Sequence, residues 1–280
     1  MNFNLHTHTN YSDGSSSPED YIKEAIRQGF DTLGFSDHAP VPFDNNFAIA
    51  KDKLQEYCDT ISRLKTAYSS GLKIFLGLET DYIPLITVPT VEIGRNYPID
   101  YFIGSVHLVK NGNHNALWFI DGPEIEIYDE GLISVFGGRI RDAVTAYYHQ
   151  IMEMILSDQP DIIGHLDKVK MYNRNRYFRE DEPWYEKLVD EVLDLVREKG
   201  LTVEVNTRGI YKKRSDSLFP GPGILKKINR LNIPVIISSD AHKPQEISLG
   251  FEEARKTLSE LGFGSTWLKT AEGWKEIPLG

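Results

Sequence analysis

Short apolar runs rich in β-branched residues alternate with helix-like segments along almost the whole chain. The runs are mostly continuous rather than alternating in polarity, as the buried strands of parallel sheets are. They occupy residues 3–5, 32–35, 73–78, 101–106, 161–164, 201–205 and 233–237. About seven strand–helix units in succession predict a parallel α/β architecture, either a barrel or an open doubly wound sheet.

Amphipathic helical patterns lie between these runs. Ser17 and Pro18 supply an N-cap and a first helical residue, and Gly29 ends that helix. Similar patterns cover residues 54–68, 184–196 and 251–261. Two longer segments, 108–138 and 170–182, exceed ordinary loops and are expected to shape a site. Because no linker, repeat or low-complexity tract interrupts the sequence, we expect one domain spanning 1–280.

Composition excludes several classes of protein. The lone cysteine, Cys58, rules out an internal disulfide and a thiolate zinc cluster. The N-terminus lacks the features of a signal peptide and no apolar run reaches membrane length, so we expect a cytoplasmic protein without a membrane partner. The formal net charge of −10 argues against a nucleic-acid partner. The oligomeric state is not determined by the sequence.

Most of the histidines fall at the ends of predicted strands. Six of the eight lie at or just beyond a C-terminal strand end: His6, His8, His38, His107, His165 and His242. Glu79 and Asp240 occupy equivalent positions, and Asp13 follows the first strand. Although a single histidine there usually serves packing or hydrogen bonding, the C-terminal ends of parallel strands meet at one rim, so together these residues predict a metal site. Imidazoles and carboxylates without thiolates suit Zn, Mn or Fe.

The other two histidines do not follow this rule. His114 lies in a polar loop and His149 in a helical pattern.

Motifs of other hydrolytic routes are absent: the sequence has no Asp-x-Asp pair, no phosphate-binding Gly-x-x-x-x-Gly-Lys loop and no Gly-x-Ser-x-Gly elbow.

The strand-end segments resemble a known family. They are His6-Thr7-His8-Thr9 with Asp13-Gly14, Ser36-Asp37-His38, Gly77-Leu78-Glu79, Gly104-Ser105-Val106-His107, Gly164-His165-Leu166-Asp167 and Ser239-Asp240-Ala241-His242. In this order they resemble the polymerase and histidinol phosphatase (PHP) family of metallohydrolases. The resemblance implies a distorted (β/α)7 barrel with a metal site at the C-terminal ends of its strands. The segment Glu204-Val205-Asn206-Thr207 and the chain length are most similar to the family's stand-alone histidinol-phosphate phosphatases.

The resemblance also implies a centre of three divalent metal ions, drawn from Zn, Mn and Fe. Some family members carry His at the position of Asp13, where Asp can still bind a metal. The implied ligands are His6, His8 and Asp240 for one ion, Glu79 as a bridge to a second, His107 and His165 for that second ion, and Asp13, His38 and His242 for the third.

The implied reaction is the hydrolysis of L-histidinol phosphate, a small phosphomonoester, in histidine biosynthesis. A metal-bridged hydroxide, held by Glu79, His6, His8 and Asp240, would attack the phosphorus while the cations neutralise developing charge. Arg208, just after the sixth strand, is the favoured phosphate-binding residue, and Arg176 in the long loop is the second candidate. Weaker candidates are Arg139, Arg141, Lys168 and Lys212. A rim carboxylate, Asp44 or Asp81, would take the substrate's ammonium group.

Two other functions stay open. The same site would suit a phosphoesterase or exonuclease that acts on nucleotides, although the acidic chain lacks a basic stripe. The chain could alternatively be a metal-binding module without catalytic activity.

Overall fold

The structure of the protein, a computed structural model, describes residues 2–112 and 116–279, so His114 lies outside the described residues. The strands are β1 (Phe3–Asn4), β2 (Thr32–Phe35), β3 (Lys73–Asp81), β4 (Tyr101–Ser105), β5 (Leu108–Lys110), β6 (Leu117–Phe119), β7 (Ile162–Ile163), β8 (Thr202–Asn206), β9 (Val235–Ser238), β10 (Ser265–Thr270) and β11 (Gly273–Pro278). The helices are α1 (Pro18–Arg27), α2 (Leu54–Ala67), α3 (Thr90–Asn96), α4 (Ile125–Phe136), α5 (Ile140–Ser157), α6 (Pro183–Lys199), α7 (Arg208–Tyr211), α8 (Pro222–Arg230) and α9 (Phe251–Glu260). Short 3-10 helices lie at Lys51–Lys53, Lys168–Lys170 and Pro244–Glu246.

Seven strands form one parallel sheet in the order β1-β2-β3-β4-β7-β8-β9. This order follows the chain, as expected when each helix carries the chain to the neighbouring strand. Hydrogen bonds also join the segments that follow the first and last strands. The amide of Ala241 donates to the carbonyl of His6 (3.1 Å), and the amide of His8 donates to the carbonyl of Ala241 (2.8 Å). The predicted seven-stranded (β/α) barrel is therefore confirmed, and the open sheet is excluded.

Each predicted strand and helix has a counterpart, and additional elements appear. The helix predicted over 184–196 is α6, which ends where Gly200 adopts a left-handed conformation with φ of 64°. The segment 108–138 is not a loop, because it contains the β5–β6 hairpin and α4. Trp118 of that hairpin is buried and packs on Tyr128 of α4, which joins the hairpin to this helix. His149 is an exposed residue of α5.

The barrel interior is apolar at one end and polar at the other. At the N-terminal end of the strands, inward-facing residues pack together: Phe3, Leu5, Phe75, Tyr101, Ile103, Ile162 and Ile236. Leu268 of the antiparallel β10–β11 hairpin joins this cluster, and Trp274 packs against it. The Thr266 hydroxyl donates to the carbonyl of Val235 (3.0 Å), the first residue of β9. The hairpin thus closes the N-terminal end of the barrel. None of the helices in the described part of the chain is both long and apolar enough to span a membrane.

Candidate metal centre

The C-terminal ends of the barrel strands gather the nine residues that the sequence predicts as ligands. Most of them are buried, and Asp13 is the most accessible, with 31% of its side chain exposed. The strand ends place eight of these residues, whereas Asp13 comes from the loop before α1. The resulting cluster consists of His6, His8, Asp13, His38, Glu79, His107, His165, Asp240 and His242.

Glu79 of β3 lies at the centre of the cluster. Its Oε2 is 3.1 Å from His6 Nε2, 3.4 Å from His8 Nε2 and 3.3 Å from His38 Nδ1, whereas its Oε1 is 3.0 Å from His165 Nε2 and 3.5 Å from His107 Nε2. Burial by itself would raise the pKa of Glu79, but the surrounding imidazoles, His6 foremost, hold that pKa well below its usual range. The carboxylate is therefore ionised, and its two oxygens face two groups of imidazoles, as a bridging ligand requires.

Three overlapping groups of side chains bring their potential ligand atoms within 4.8 Å of one another. They are His6, His8 and Asp240; His8, Asp13, His38 and His242; and His38, Glu79 and His107. His165, predicted to accompany His107, lies beside it with the two Nε2 atoms 3.1 Å apart. The groups resemble the predicted ligand sets, except that His8 and His38 each belong to two of them.

Several ring nitrogens that face the centre have no hydrogen-bond partner among the described residues. These buried atoms include His6 Nε2, both nitrogens of His8, and His38 Nδ1. Burial, together with the neighbouring His242 and His38, lowers the pKa of His8 to about 3, so its ring is neutral and able to bind a metal. Because an unpaired buried polar atom is costly, this donor set fits metal ions.

Carboxylates behind the cluster orient two of the imidazoles. His6 Nδ1 donates to Glu204 Oε1 (2.5 Å), and His107 Nδ1 donates to Asp81 Oδ1 (3.0 Å). Each contact directs the opposite nitrogen, Nε2, to the centre, an arrangement typical of metal-binding histidines. Asp81 is thus engaged with His107, while the other candidate for the ammonium group, Asp44, is an exposed residue.

Cationic side chains flank Asp240. Arg208 Nη1 donates to the carbonyl of Asp240 (2.7 Å) and to His242 Nδ1 (2.6 Å). Lys168 is only 1% exposed, and its Nζ lies 3.8 Å from Asp240 Oδ2 and 3.0 Å from Asp121 Oδ2. Lys168 is one of the weaker phosphate-binding candidates that the sequence offers, whereas Asp121 was not predicted as a site residue.

Arg176, the second residue predicted to bind phosphate, is not brought to the centre by its contacts. Its guanidinium forms two hydrogen bonds to Asp129 of α4 (2.7 and 2.8 Å) and also donates to the carbonyl of Tyr172. Its N–H groups thus donate to α4 and to the backbone of Tyr172, whereas Arg208 contacts residues of the cluster.

The family follows from comparison with known proteins. The model of the PHP domain matches residues 4–208. The chain belongs to the PHP family. The match includes most of the cluster, from His6 to His165, and ends at Arg208, whereas Asp240 and His242 lie beyond it.

Several proteins that are similar to this chain carry related names. A Deinococcus radiodurans protein named "Probable histidinol-phosphatase" is 30% identical over 251 residues, which cover 89% of this chain and 88% of the relative. The histidinol-phosphatase of Bacillus subtilis strain 168 is 27% identical over 262 residues, which cover 88% and 96%. The histidinol phosphate phosphatase of Lactococcus lactis, crystallised with Zn, L-histidinol and phosphate, has a TM-score of 0.70 at 22% identity, with 98% of both chains covered. At that identity the structural similarity shows a common fold.

Proposed function

We propose that this PHP-family protein is a metal-dependent phosphomonoesterase that hydrolyses L-histidinol phosphate to L-histidinol and phosphate, in histidine biosynthesis. The observation that carries the proposal is Glu79, a buried carboxylate whose two oxygens face two groups of imidazoles. The substrate is suggested by the relatives, one named a histidinol-phosphatase and one a probable histidinol-phosphatase. They match this chain over 96% and 88% of their own length. A role in biosynthesis agrees with the cytoplasmic location that the sequence predicts.

The cluster fits three divalent ions, which we propose are drawn from Zn, Mn and Fe. When bound, such ions act as Lewis acids toward phosphoryl oxygens and lower the pKa of water to near neutrality. The residues that would hold them are His6, His8 and Asp240; His107 and His165, with Glu79 shared; and Asp13, His38 and His242.

Two cations of the chain would bind the substrate phosphate beside the ions. The contacts of Arg208 with Asp240 and His242 hold its guanidinium at the edge of the centre, where its other N–H groups can donate to a phosphate oxygen. Lys168 adds a buried positive charge 3.8 Å from the carboxylate oxygen Oδ2 of Asp240. Together they favour a dianionic ligand in a chain whose net charge is −10.

The test combines metal analysis of the purified protein with an assay of phosphate release. L-Histidinol phosphate is compared with nucleoside monophosphates and short single-stranded oligonucleotides at equal concentrations. We expect bound divalent metal and the highest kcat/KM for L-histidinol phosphate. Equal or faster hydrolysis of nucleotides would instead indicate a nucleotide phosphoesterase, and bound metal without turnover of any substrate would indicate a non-catalytic module.

A further inference from the structure

Asp13 differs from the other candidate ligands because it lies on a loop rather than at a strand end. Its carboxylate is 3.1 Å from His242 Nε2, and its position depends on how residues 9–16 are folded. The amides of Ser12 and Gly14 both donate to the carbonyl of Thr9 (3.1 and 2.9 Å). A Cβ on Gly14 would lie 1.9 Å from the carbonyl oxygen of His8, so the loop packs directly on the backbone that carries His8.

The fully buried side chain of Asp37 holds this loop in place. Asp37 Oδ1 accepts hydrogen bonds from the Thr9 amide (2.7 Å), the Thr9 hydroxyl (3.0 Å) and the Ser12 hydroxyl (2.6 Å). Among the described residues, the side-chain hydrogen bonds of Asp37 come from these neutral donors of one loop. A carboxylate buried without a cation is costly, so its placement calls for a specific role.

The same contact joins two neighbouring segments of the candidate centre. Asp37 directly precedes His38, and its partner Thr9 directly follows His8. The ring centroids of His8 and His38 are 4.5 Å apart, and the amide of Ser15 donates to the carbonyl of His242 (2.8 Å). The group formed by His8, Asp13, His38 and His242 is thus built around one buried hydrogen-bonded link.

We infer that Asp37 is a positioning residue for the metal ion held by Asp13, His38 and His242. The inference rests on the proposed metal-dependent function. Without the carboxylate, the loop loses its acceptor, and Asp13 is no longer held against His242. The ligands around Glu79 lie at strand ends rather than on this loop, so their ions are expected to stay bound.

The experiment measures metal content per chain after dialysis into metal-free buffer, by inductively coupled plasma mass spectrometry. We expect Asp37→Ala to hold one ion fewer than the wild type, and we expect the same of Asp13→Ala. The double variant Asp13→Ala/Asp37→Ala should lose no more than Asp13→Ala alone, because both changes act on one ion. The conservative Asp37→Asn keeps an acceptor for the Thr9 amide and should retain more metal than Asp37→Ala.

Asp158 provides a matched control. It is a buried carboxylate that accepts from the amide of Thr90 (2.8 Å), between α5 and α3. Asp158→Ala should lower stability and leave the metal content unchanged. If Asp37→Ala is insoluble, Ser12→Ala removes one donor at a partly exposed position, and its most weakly held ion should be lost at about tenfold lower chelator concentration.

The outcomes separate the two proposals. Wild-type protein without bound metal overturns the proposed function, and this inference with it. A full complement of metal in Asp37→Ala overturns only the role of Asp37. Where Ser12→Ala replaces that variant, loss of its ion at the same chelator concentration as in the wild type does so. An equal loss in Asp158→Ala also overturns that role, because it would show a general effect of destabilisation.

Discussion

At the scale of single residues, Glu79 is the side chain on which the candidate centre depends most. Its two oxygens contact both groups of imidazoles, so this one carboxylate links them. We expect Glu79→Gln to lose bound metal and to lower phosphate release more than about 100-fold, since even outer partners of ligands are worth 10- to 100-fold. Metal analysis and the phosphate assay measure both effects.

The control for this change is Glu56→Gln, an exposed glutamate of α2 paired with Lys53. It should leave metal content and turnover near the wild-type values. Circular dichroism should show that both variants are folded. Near-normal turnover of Glu79→Gln with a full set of ions would contradict the bridging role.

Arg208 and Arg176 give a second prediction at this scale. Arg208 contacts Asp240 and His242, whereas Arg176 is bound to Asp129. A hydrogen bond to a charged group contributes about 2 kcal/mol, so Arg208→Ala should raise KM for L-histidinol phosphate about 30-fold. Arg176→Ala should change KM less than about twofold. A larger effect of Arg176→Ala in the same steady-state assay would reverse this assignment.

At the scale of secondary-structure elements, the β10–β11 hairpin closes the barrel at the end opposite the site. Leu268 is 3% exposed and packs among the inward residues of the strands. Leu268→Ala should therefore cost about 3 kcal/mol of unfolding free energy, as cavities of this kind do. Because the centre lies at the other end of the strands, kcat at temperatures where the variant is folded should not change.

Urea denaturation and steady-state kinetics test this division between the two ends. Leu156→Ala is the control, because Leu156 lies on α5 with 57% of its surface exposed and should cost less than about 0.5 kcal/mol. A Leu268→Ala variant that loses activity while it is fully folded would show that the hairpin acts on the site.

The elements also show where sequence patterns carry information. Continuous apolar runs predicted the seven barrel strands because both faces of such a strand are buried, and Gly200 predicted the end of α6 because the left-handed conformation there favours glycine. The β5–β6 hairpin and α4 were not predicted. Their fixed position depends on the packing of Trp118 against Tyr128, which no periodicity within the segment reveals.

The candidate centre, like the fold, was predictable in part from the sequence. Because parallel barrel strands end at one rim, the sequence alone predicted that the nine ligand candidates lie together. The contacts of the residues behind them were not predicted. His6 and Glu204 are 198 positions apart, and the contact of Lys168 with Asp121 depends on where the hairpin segment is placed. Such pairs become visible only when the packing of side chains is known.

At the scale of the whole molecule, the candidate ions link segments from both ends of the chain. His6 and His8 follow β1, Asp240 and His242 follow β9, and hydrogen bonds join these segments. We propose that residues 1–280 form one domain that unfolds in a single transition. Removal of metal by chelation should lower its midpoint by roughly 10 °C or more, because each ion at 1,000 times its Kd contributes about 4 kcal/mol.

Differential scanning calorimetry of the chelated, reloaded and untreated protein measures this dependence. Reloading with Zn should restore the midpoint, and Asp13→Ala should show a smaller shift on chelation than the wild type, because it starts with one ion fewer. Glu79→Gln should show almost no shift of the midpoint on chelation. Two separate transitions would contradict the single domain. An unchanged midpoint after complete metal removal would mean that the ring nitrogens of His6 and His8 without a hydrogen-bond partner among the described residues are tolerated without ions. It would also mean that the centre contributes nothing to holding β1 against β9.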